Sequence, residues 1–270
     1  MPRLLPMSEF VMKPYIFVDL DDTLFQTNRR VTPDDGYTIA TLDKSGNPLS
    51  FMNPKQKMFV DWMNQSGKLV AVTARSVEAL SRVKLNFPYG AVCSHGGTVL
   101  NPDGSVDAQW HAQMQQVLAP YQELLQSLTT LLLEAAVSLG SIRTWVVEEN
   151  GLGQYAVAKQ NDAGPLFLKQ LIAALPAQYR NEFYIHSNGN NLAIIPKVIS
   201  KALAVRYLVK HKLSDIEQAF VLGFGDSLSD LEFLAECDWL GLPKSSQAHQ
   251  WVTHHLHNDY QSKGYFGHEH

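Results

Sequence analysis

The chain has 270 residues, of which 45% are hydrophobic and 18% charged, with a net charge of -4 and a pI near 6.2. This composition is typical of a globular protein with one large domain or two smaller ones. The slight acidic balance argues against nucleic acid or an anionic membrane as a partner, and no apolar run is long enough to span a bilayer. The N-terminal MPRLLPMSEFVMK lacks the continuous apolar stretch of a secretory signal. Cys93 and Cys237 form no disulfide framework, so we expect a cytoplasmic protein.

The strongest local pattern is the stretch YIFVDLDDTL at residues 15–24. Its leading apolar and aromatic residues predict a strand buried on both faces, as a parallel sheet requires. Asp19 and Asp21 follow this strand, and residues two positions apart in an extended chain project to the same side. Two carboxylates this close repel each other unless a cation compensates them. Because Mg2+ prefers oxygen ligands and suits a sparse carboxylate site, we predict a magnesium site here.

The next segments alternate between strands and helices. A hairpin is predicted for YTIATL and PLSFM, which DKSGN separates, and Pro54 opens a helix that ends near Gly67. KLVAV is a second buried strand that leads to Thr73, and a helix follows over 76–86. AVCSHGGTVL is expected to be a third strand with a glycine-bearing turn at Gly96 and Gly97. This order predicts an α/β fold with a doubly wound parallel sheet, whose ligand site lies at the carboxyl ends of the strands.

After about residue 102 the pattern changes to that of a separate α+β layer. A long helical region over 109–139, which Pro120 kinks or splits, precedes a hairpin around Asn150 and Gly151. A further helix and two strands around a tight Asn-Gly-Asn turn complete this layer. We therefore predict a core over 14–102, an inserted α+β cap over 103–196 and a returning core over 197–260.

Four separated segments place polar residues at predicted strand ends or helix starts, and together they suit phosphoryl transfer. These residues are Asp19 with Asp21, Thr73, Lys201, and Asp226 with Asp230. A phosphate dianion approaches carboxylates only when Mg2+ and an ammonium group offset the repulsion. In this hypothesis Asp19 is the nucleophile, and Asp21 protonates the leaving alkoxide and then activates water.

The remaining residues of these segments have supporting roles. Thr73 offers a hydroxyl to a phosphoryl oxygen, and Lys201 supplies the compensating positive charge. Asp226 completes the metal shell, while Asp230 holds a water at the metal or orients Lys201. Lys197 is an alternative for the lysine role, but we prefer Lys201 because it opens a helix, whereas Lys197 follows a proline at a strand end.

In this order, DLDDTL at 19–24, Thr73 in VAVTARS, Lys201 in VISKALAV and GDSLSD at 225–230 resemble the four motifs of the haloacid dehalogenase-like phosphatase superfamily. The inserted layer resembles the class IIB cap that sucrose-phosphate, trehalose-phosphate and mannosyl-phosphoglycerate phosphatases carry. The resemblance implies a Rossmann-like core, Mg2+ dependence and a cap that contacts the substrate. It also implies that Asp226 is a metal ligand through its side chain and Asp21 through its backbone carbonyl. With Asp19 and Asp230, these residues are the predicted metal ligands.

Two positions depart from the superfamily pattern. Ser229 stands where many relatives have asparagine, although it still offers a hydroxyl. His95, in the segment SHGG, also stands where relatives often have asparagine, which alters the floor of the pocket.

The cap is expected to place polar groups over the leaving group. The turn over 186–191 is rich in amide and imidazole groups, which suit a polyhydroxylated molecule, but Asn-Gly turns are also frequent for backbone reasons alone. The predicted substrate-binding residues are Thr23, Ala74, Arg75, Arg143, His186, Asn188, Asn190 and Asn191. We expect the partner to be a small phosphorylated molecule, with a sugar phosphate as the favoured class.

Two other functions remain open. A phosphomutase would return the phosphoryl group from the aspartate to its substrate. A noncatalytic phosphate-binding module similar to a receiver domain would also combine clustered aspartates with Thr and Lys on a doubly wound sheet, although the order of the motifs opposes it. The sequence determines neither the oligomeric state nor the role of the C-terminal histidines.

Overall fold

The computed structural model describes residues 12–137, 142–160, 165–188, 191–213 and 219–262. Its strands are β1 (Tyr15–Val18), β2 (Gln26–Thr27), β3 (Thr38–Leu42), β4 (Pro48–Met52), β5 (Lys68–Val72), β6 (Ala91–Cys93), β7 (Thr98–Leu100), β8 (Arg143–Glu149), β9 (Leu152–Lys159), β10 (Phe183–Asn188), β11 (Asn191–Pro196), β12 (Val221–Phe224) and β13 (Trp239–Gly241). Its α-helices are α1 (Pro54–Ser66), α2 (Val77–Ser81), α3 (Ala108–Leu118), α4 (Gln122–Ala136), α5 (Pro165–Ala174), α6 (Ala177–Glu182), α7 (Lys201–His211), α8 (Leu231–Leu234) and α9 (Gln247–Ser262).

The core contains a sheet with the strand order β13-β12-β1-β5-β6-β7. Strand β1 lies inside this sheet because all four of its residues are apolar or aromatic and buried, and it pairs in parallel with both β5 and β12. The carboxyl ends of β1, β5 and β12 therefore point to the same edge of the sheet. The predicted doubly wound parallel core is confirmed, with one antiparallel strand, β7, at its margin.

The segment AVCSHGGTVL, expected to be one strand with a glycine-bearing turn, is two strands that a turn separates. The chain reverses through a 3-10 turn over Ser94–Gly96, and β7 pairs antiparallel with β6. Ser94, His95 and Gly96 all have positive φ values, of 51, 60 and 108°. Only glycine adopts this region without steric cost, so the glycine indicated the turn, whereas the left-handed conformations of Ser94 and His95 were not predicted. A Cβ at position 96 would collide with the backbone oxygen of Ser200, which explains the glycine there.

The cap sheet has the order β10-β11-β9-β8 and is antiparallel throughout. Strand β9 is buried on both faces: Tyr155 and Val157 join the apolar cluster of the core, whereas Ala156 and Ala158 join the cluster formed with α4 and α5. The cap sheet consequently lies between its own helices and the core. This arrangement presents one face of β10 and β11 to the carboxyl edge of the core sheet.

Most of the other predicted elements are present. The hairpin β3–β4 forms a small sheet with β2, and the helical region of the cap is divided at Pro120 by a 3-10 turn over Ala119–Tyr121. The helix expected over 76–86 is shorter, and α6 and α9 were not predicted. No helix in the described parts of the chain combines the length and apolar character needed to cross a membrane.

Candidate active site

A cavity of about 540 Å³ lies between the carboxyl edge of the core sheet and the cap. The core contributes the residues that follow β1, β5 and β12, and the cap contributes residues of β10 and β11. Its lining includes Asp19, Thr73, Lys201, Asp226, Tyr184 and His186. Segments far apart in sequence are thus brought together at the edge where the sequence predicted a ligand site.

Three carboxylates and one ammonium group form the centre of the site. Asp19 follows β1, Asp226 follows β12, and Asp230 ends the 3-10 turn Leu228–Asp230; one oxygen from each lies within 4.8 Å of the other two. The Lys201 Nζ donates to Asp19 Oδ1 and to Asp230 Oδ1, each at 2.7 Å. The Thr23 Oγ1 donates to Asp19 Oδ2 at 3.2 Å.

Lys201 is positioned by the start of α7. Ser200 caps this helix, because its Oγ accepts a hydrogen bond from the backbone N–H of Ala202 at 3.1 Å. Asp230 is fixed by hydrogen bonds from the backbone N–H and the hydroxyl of Ser227, at 2.9 and 2.7 Å. The geometry therefore places Lys201 against the predicted nucleophile, whereas Lys197 lies at the exposed wall of the cavity.

The electrostatics of the cluster show an excess of negative charge. Burial, together with the nearby Asp230 and Asp226, raises the pKa of Asp19 well above its usual value despite the adjacent Lys201. Burial and the neighbouring carboxylates of Asp230 and Asp22 raise the pKa of Asp226 to about 7. Burial alone would lower the pKa of Lys201, but Asp19 and Asp230 outweigh this effect and raise it. A single ammonium group does not neutralise three carboxylates, so the cluster favours a further cation.

Thr73 is buried directly after β5, where it can meet a phosphoryl oxygen. Its Oγ1 accepts a hydrogen bond from the backbone N–H of Arg75 at 3.1 Å, which leaves the hydroxyl proton for a ligand in the cavity. Its carbonyl accepts from the backbone N–H of His95 at 3.2 Å. Ala74, the next residue, also lines the cavity.

The structure pairs Arg75, one of the predicted substrate contacts, with Asp21. Its guanidinium donates to both oxygens of Asp21, at 2.7 and 2.8 Å, and packs over the ring of Phe25. Such a bidentate pair fixes the orientation of a carboxylate. The structure therefore pairs Arg75 with the predicted acid and base, and Arg75 does not line the cavity.

Of the predicted cap contacts, the structure brings His186 into the cavity. Arg143 lies on the exposed side of β8, and Asn191 begins β11 without lining the cavity. Asn188 ends β10, but its side chain and the whole of Asn190 fall outside the described residues. Thr23 does not line the cavity and instead joins Asp19 to Asp226, where its Oγ1 donates to Asp226 Oδ1 at 3.4 Å.

Several lining residues were not among the predicted contacts, and Asp22, His95 and Tyr184 are the ones considered next. Asp22 has a φ of 63°, which turns its carboxylate toward the cavity side, where it forms an ion pair with Arg30. Tyr184 was detectable in principle, because residues two apart on a strand share a face and His186 had been proposed. The only sequence feature that pointed to His95 was its difference from the asparagine that relatives often have at this position.

The chain thus combines an α/β core and an inserted cap with a carboxylate cluster and a lysine at the carboxyl edge of the core sheet. A family model described as haloacid dehalogenase-like hydrolase matches residues 156–240. This segment contains Lys201, Asp226 and Asp230, whereas Asp19 and Thr73 precede it. No curated protein sequence matches the chain significantly.

The chain is similar to solved structures, one of which has a TM-score above 0.5. The C-terminal domain of trehalose-6-phosphate phosphatase from C. albicans has a TM-score of 0.53 and 17% identity, over 82% of this chain and 72% of that one. Sucrose-phosphatase from Synechocystis, in complex with sucrose and phosphate, has a TM-score of 0.49 and 16% identity, over 92% and 99% of the two chains. With the family match, the first of these confirms the predicted fold and the predicted resemblance to haloacid dehalogenase-like hydrolases.

Proposed function

We propose that the protein is a Mg2+-dependent phosphomonoester hydrolase that acts on a small phosphorylated metabolite, and that the metabolite is a sugar phosphate. The observation that carries this proposal is the contact of Lys201 with Asp19 inside a cluster of three carboxylates, beneath a cavity that the cap covers. A phosphate group entering this cavity meets a nucleophile, a cation and the Thr73 hydroxyl in one place. A cytoplasmic location, which agrees with two free cysteines, is part of the same proposal.

The donor set of the cluster fits Mg2+. Asp19, Asp226 and Asp230 offer hard oxygen atoms close together, and their charge exceeds what Lys201 compensates. Asp19 and Asp226 would hold the ion with the backbone carbonyl of Asp21, and Asp230 would support them. When bound, Mg2+ supplies positive charge that offsets the repulsion between a phosphate dianion and the carboxylates.

The chain's own residues account for the two chemical steps. In the first step, a carboxylate oxygen of Asp19 attacks phosphorus; the bond to the ester oxygen breaks and this oxygen takes a proton from Asp21. In the second step, Asp21 removes a proton from water, which attacks phosphorus, so that inorganic phosphate leaves and Asp19 is regenerated. Lys201 and Thr73 hold phosphoryl oxygens in both steps. Arg75 keeps the Asp21 carboxylate at the edge of the cavity.

The substrate class is supported by the cavity and by the structural relatives. The relatives named above include a trehalose-6-phosphate phosphatase and a sucrose-phosphatase. The cavity combines the polar side chains of His95 and His186 with the apolar side chain of Ile195. Hydroxyl groups and the apolar ring face of a sugar match such a lining.

The test is release of inorganic phosphate from p-nitrophenyl phosphate and from a panel of sugar phosphates, with Mg2+ and with EDTA. We expect release that depends on Mg2+ and falls at least about a thousandfold in Asp19→Asn, because the amide has the same shape but does not attack phosphorus. Asp61→Asn, at the exposed surface of α1, is the control and should keep full activity. Wild-type activity in Asp19→Asn would refute the assignment of the nucleophile.

A further inference from the structure

Two histidines face each other across the boundary between core and cap. His95 lies in the turn after β6 and His186 lies in β10, and their ring centroids are 5.6 Å apart at an interplanar angle of 65°. Both rings line the cavity that contains Asp19 and Lys201. The pair therefore forms part of the wall that a leaving group meets while its phosphate lies on the carboxylate cluster.

The backbone around His95 adopts an unfavourable conformation that aims its ring into the cavity. Ser94 and His95 are consecutive residues with left-handed φ values of 51 and 60°. Such conformations persist in non-glycine residues when the surrounding contacts enforce them, and they concentrate at functional sites. Here the Ser94 N–H donates to the carbonyl of Arg75 at 2.7 Å, and the Ser94 Oγ donates to Glu149 at 2.8 Å.

Neighbouring side chains fix the orientation of both rings without using their nitrogen atoms. The ring of Tyr155 packs edge-on against His95 at 5.0 Å, and the ring of Tyr184 lies 6.2 Å from that of His186. Within the described parts of the chain, no residue makes a hydrogen bond to either imidazole ring. Both histidines are only partly buried and line the cavity, so their ring nitrogens are open to a ligand that enters it.

The charge state of the pair suits hydroxyl groups. Burial, assisted by His186 and Lys201, lowers the pKa of His95 well below its usual value, and burial with Lys201 also lowers that of His186. A neutral imidazole offers one donor and one acceptor, which is the pattern that a hydroxyl group complements. The cap side chains at this wall, Tyr184, His186 and Ile195, are uncharged, whereas the ammonium group of Lys197 lies at the exposed wall of the cavity.

We propose that His95 and His186 form a two-histidine site, one member from the core and one from the cap, that binds hydroxyl groups of a neutral polyhydroxylated leaving group and sets substrate specificity. This inference rests on the proposed phosphatase activity and specifies which side chains read the leaving group. Because one member belongs to each domain, the bound leaving group also joins the cap to the core. Ile195 and Tyr184 provide the apolar contact for the ring face of the same group.

The test compares His95→Gly and His186→Ala with the wild type on substrates that share a phosphate but differ in leaving group. Glycine is chosen at position 95 because it adopts the observed φ without strain. The panel contains a hexose monophosphate, sucrose phosphate, trehalose phosphate, phosphoglycerate, a hexose bisphosphate and p-nitrophenyl phosphate. His255→Ala, on the exposed face of α9, is the matched control.

For the preferred sugar monophosphate, we expect kcat/KM to fall about 10- to 100-fold in each variant, as loss of a buried hydrogen bond predicts. For p-nitrophenyl phosphate, which has no hydroxyl in its leaving group, we expect a change of less than about threefold. The free sugar should also inhibit the wild type competitively and lose affinity in both variants. The double variant should lose less than the sum of the two free-energy changes if one hydroxyl bridges both rings.

Equal losses on the sugar phosphate and on p-nitrophenyl phosphate would overturn the inference, because the histidines would then act on phosphoryl transfer. Unchanged kinetics on the preferred sugar phosphate would overturn it as well, as would a wild-type preference for phosphoglycerate or a bisphosphate. Failure of the proposed function is distinguishable, because the wild type would then release no phosphate even from p-nitrophenyl phosphate.

Discussion

Arg75 holds both carboxylate oxygens of Asp21 with its guanidinium, at 2.7 and 2.8 Å. The pair is largely shielded, since the Arg75 side chain is only 12% exposed. A fork-to-fork contact of this kind fixes direction as well as distance. At the scale of single residues, Arg75 thus fixes the orientation of the Asp21 carboxylate, and it does not line the cavity.

Asp21→Asn should separate the two roles of a phosphatase aspartate. The amide cannot give a proton to the leaving oxygen, so turnover of a sugar phosphate, whose alkoxide is a poor leaving group, should fall about 100- to 10,000-fold. For p-nitrophenyl phosphate, whose phenolate leaves without a proton, the first step should be little affected. Steady-state kinetics on both substrates and a rapid-mixing burst of p-nitrophenolate check this expectation. An equal loss in the first step for the two substrates would contradict the acid role.

Some features of single residues in the site could be predicted from the sequence, and others could not. Asp19, Lys201 and Asp226 were predicted as a group because each follows a strand or opens a helix, and strand ends meet at one edge of a parallel sheet. The partner of Arg75 was not predicted, because a side chain at a helix start has several charged neighbours within reach. Likewise the left-handed turn at His95 depends on contacts made by distant residues, which no local pattern encodes.

At the scale of elements, an irregularity in β8 connects the cap to the core. The register between β8 and β9 shifts after Val147, so Glu148 is exposed while Glu149 turns inward. Glu149 Oε1 accepts hydrogen bonds from Ser94 Oγ at 2.8 Å and from the backbone N–H of Val77 at 2.9 Å. A residue at the end of a cap strand thereby fixes two segments that border the candidate active site.

Glu149→Ala should destabilise the protein by about 2–3 kcal/mol, because the Ser94 hydroxyl and the Val77 N–H would lose a charged acceptor in a buried place. Glu148→Ala, one residue earlier and exposed, is the matched control and should change the free energy of unfolding by less than about 0.5 kcal/mol. Denaturant unfolding of the three proteins measures the difference. Equal effects of the two substitutions would show that the buried contacts of Glu149 do not contribute to the free energy of unfolding.

A second link between elements lies at the start of α3, which begins the path into the cap. Asp107 is buried and accepts hydrogen bonds from the backbone N–H of Trp110 at 2.8 Å and from the Tyr207 hydroxyl at 2.7 Å. Its second oxygen pairs with Lys212 Nζ at 2.6 Å. One carboxylate therefore caps α3 and binds it to α7 of the core.

The stability that Asp107 contributes should depend on pH in a defined direction. Burial alone would raise its pKa, but hydrogen bonds from Lys212, Trp110 and Tyr207 outweigh burial and lower it below 3.8. A lowered folded-state pKa contributes stability above the unfolded pKa, and this contribution is lost as the pH falls through the folded value. Asp107→Asn should therefore be less stable by about 1–3 kcal/mol near neutral pH, with a difference that narrows below about pH 4.

Urea unfolding of wild type and Asp107→Asn over a series of pH values tests this expectation. Asp61→Asn removes an exposed carboxylate that also pairs with a lysine, Lys57, and should cost less than about 0.5 kcal/mol. A difference between Asp107→Asn and the wild type that stays constant down to acid pH would show that the carboxylate charge is not the source of the stability.

At the scale of the whole molecule, the candidate active site joins parts of the chain that the cap separates. Asp19 precedes the cap in sequence, whereas Asp226 and Asp230 follow it, and the three carboxylates converge to within 4.8 Å. The fold thus brings like charges together, at a cost that Lys201 offsets only in part. A cation that binds all of them stabilises the folded chain, because the unfolded chain offers no such group of ligands.

Mg2+ should consequently raise the thermal stability of the wild type. A ligand at about 100 times its dissociation constant stabilises the native state by about 2.7 kcal/mol. In Asp226→Asn one carboxylate becomes a neutral amide, so the metal-free variant should be at least as stable as the metal-free wild type near neutral pH. Mg2+ should raise the thermal stability of the same variant only slightly, because the variant has lost a metal ligand. Thermal unfolding with Mg2+ and with EDTA reports both effects without any measurement of activity.

The combination of outcomes distinguishes a metal site from a purely structural cluster. Asp61→Asn should respond to Mg2+ as the wild type does, which controls for general effects of ionic strength. If Asp226→Asn gained as much from Mg2+ as the wild type, Asp226 would not be a ligand. If Mg2+ did not stabilise the wild type, the three carboxylates would not form a magnesium site. Their negative charge would then be compensated by Lys201 and by bound protons. Relative to the wild type, Asp226→Asn is expected to be at least as stable in EDTA but less stable in Mg2+. Both effects have one cause, because the Asp226 charge that repels its neighbours in the metal-free protein is the charge that binds the ion.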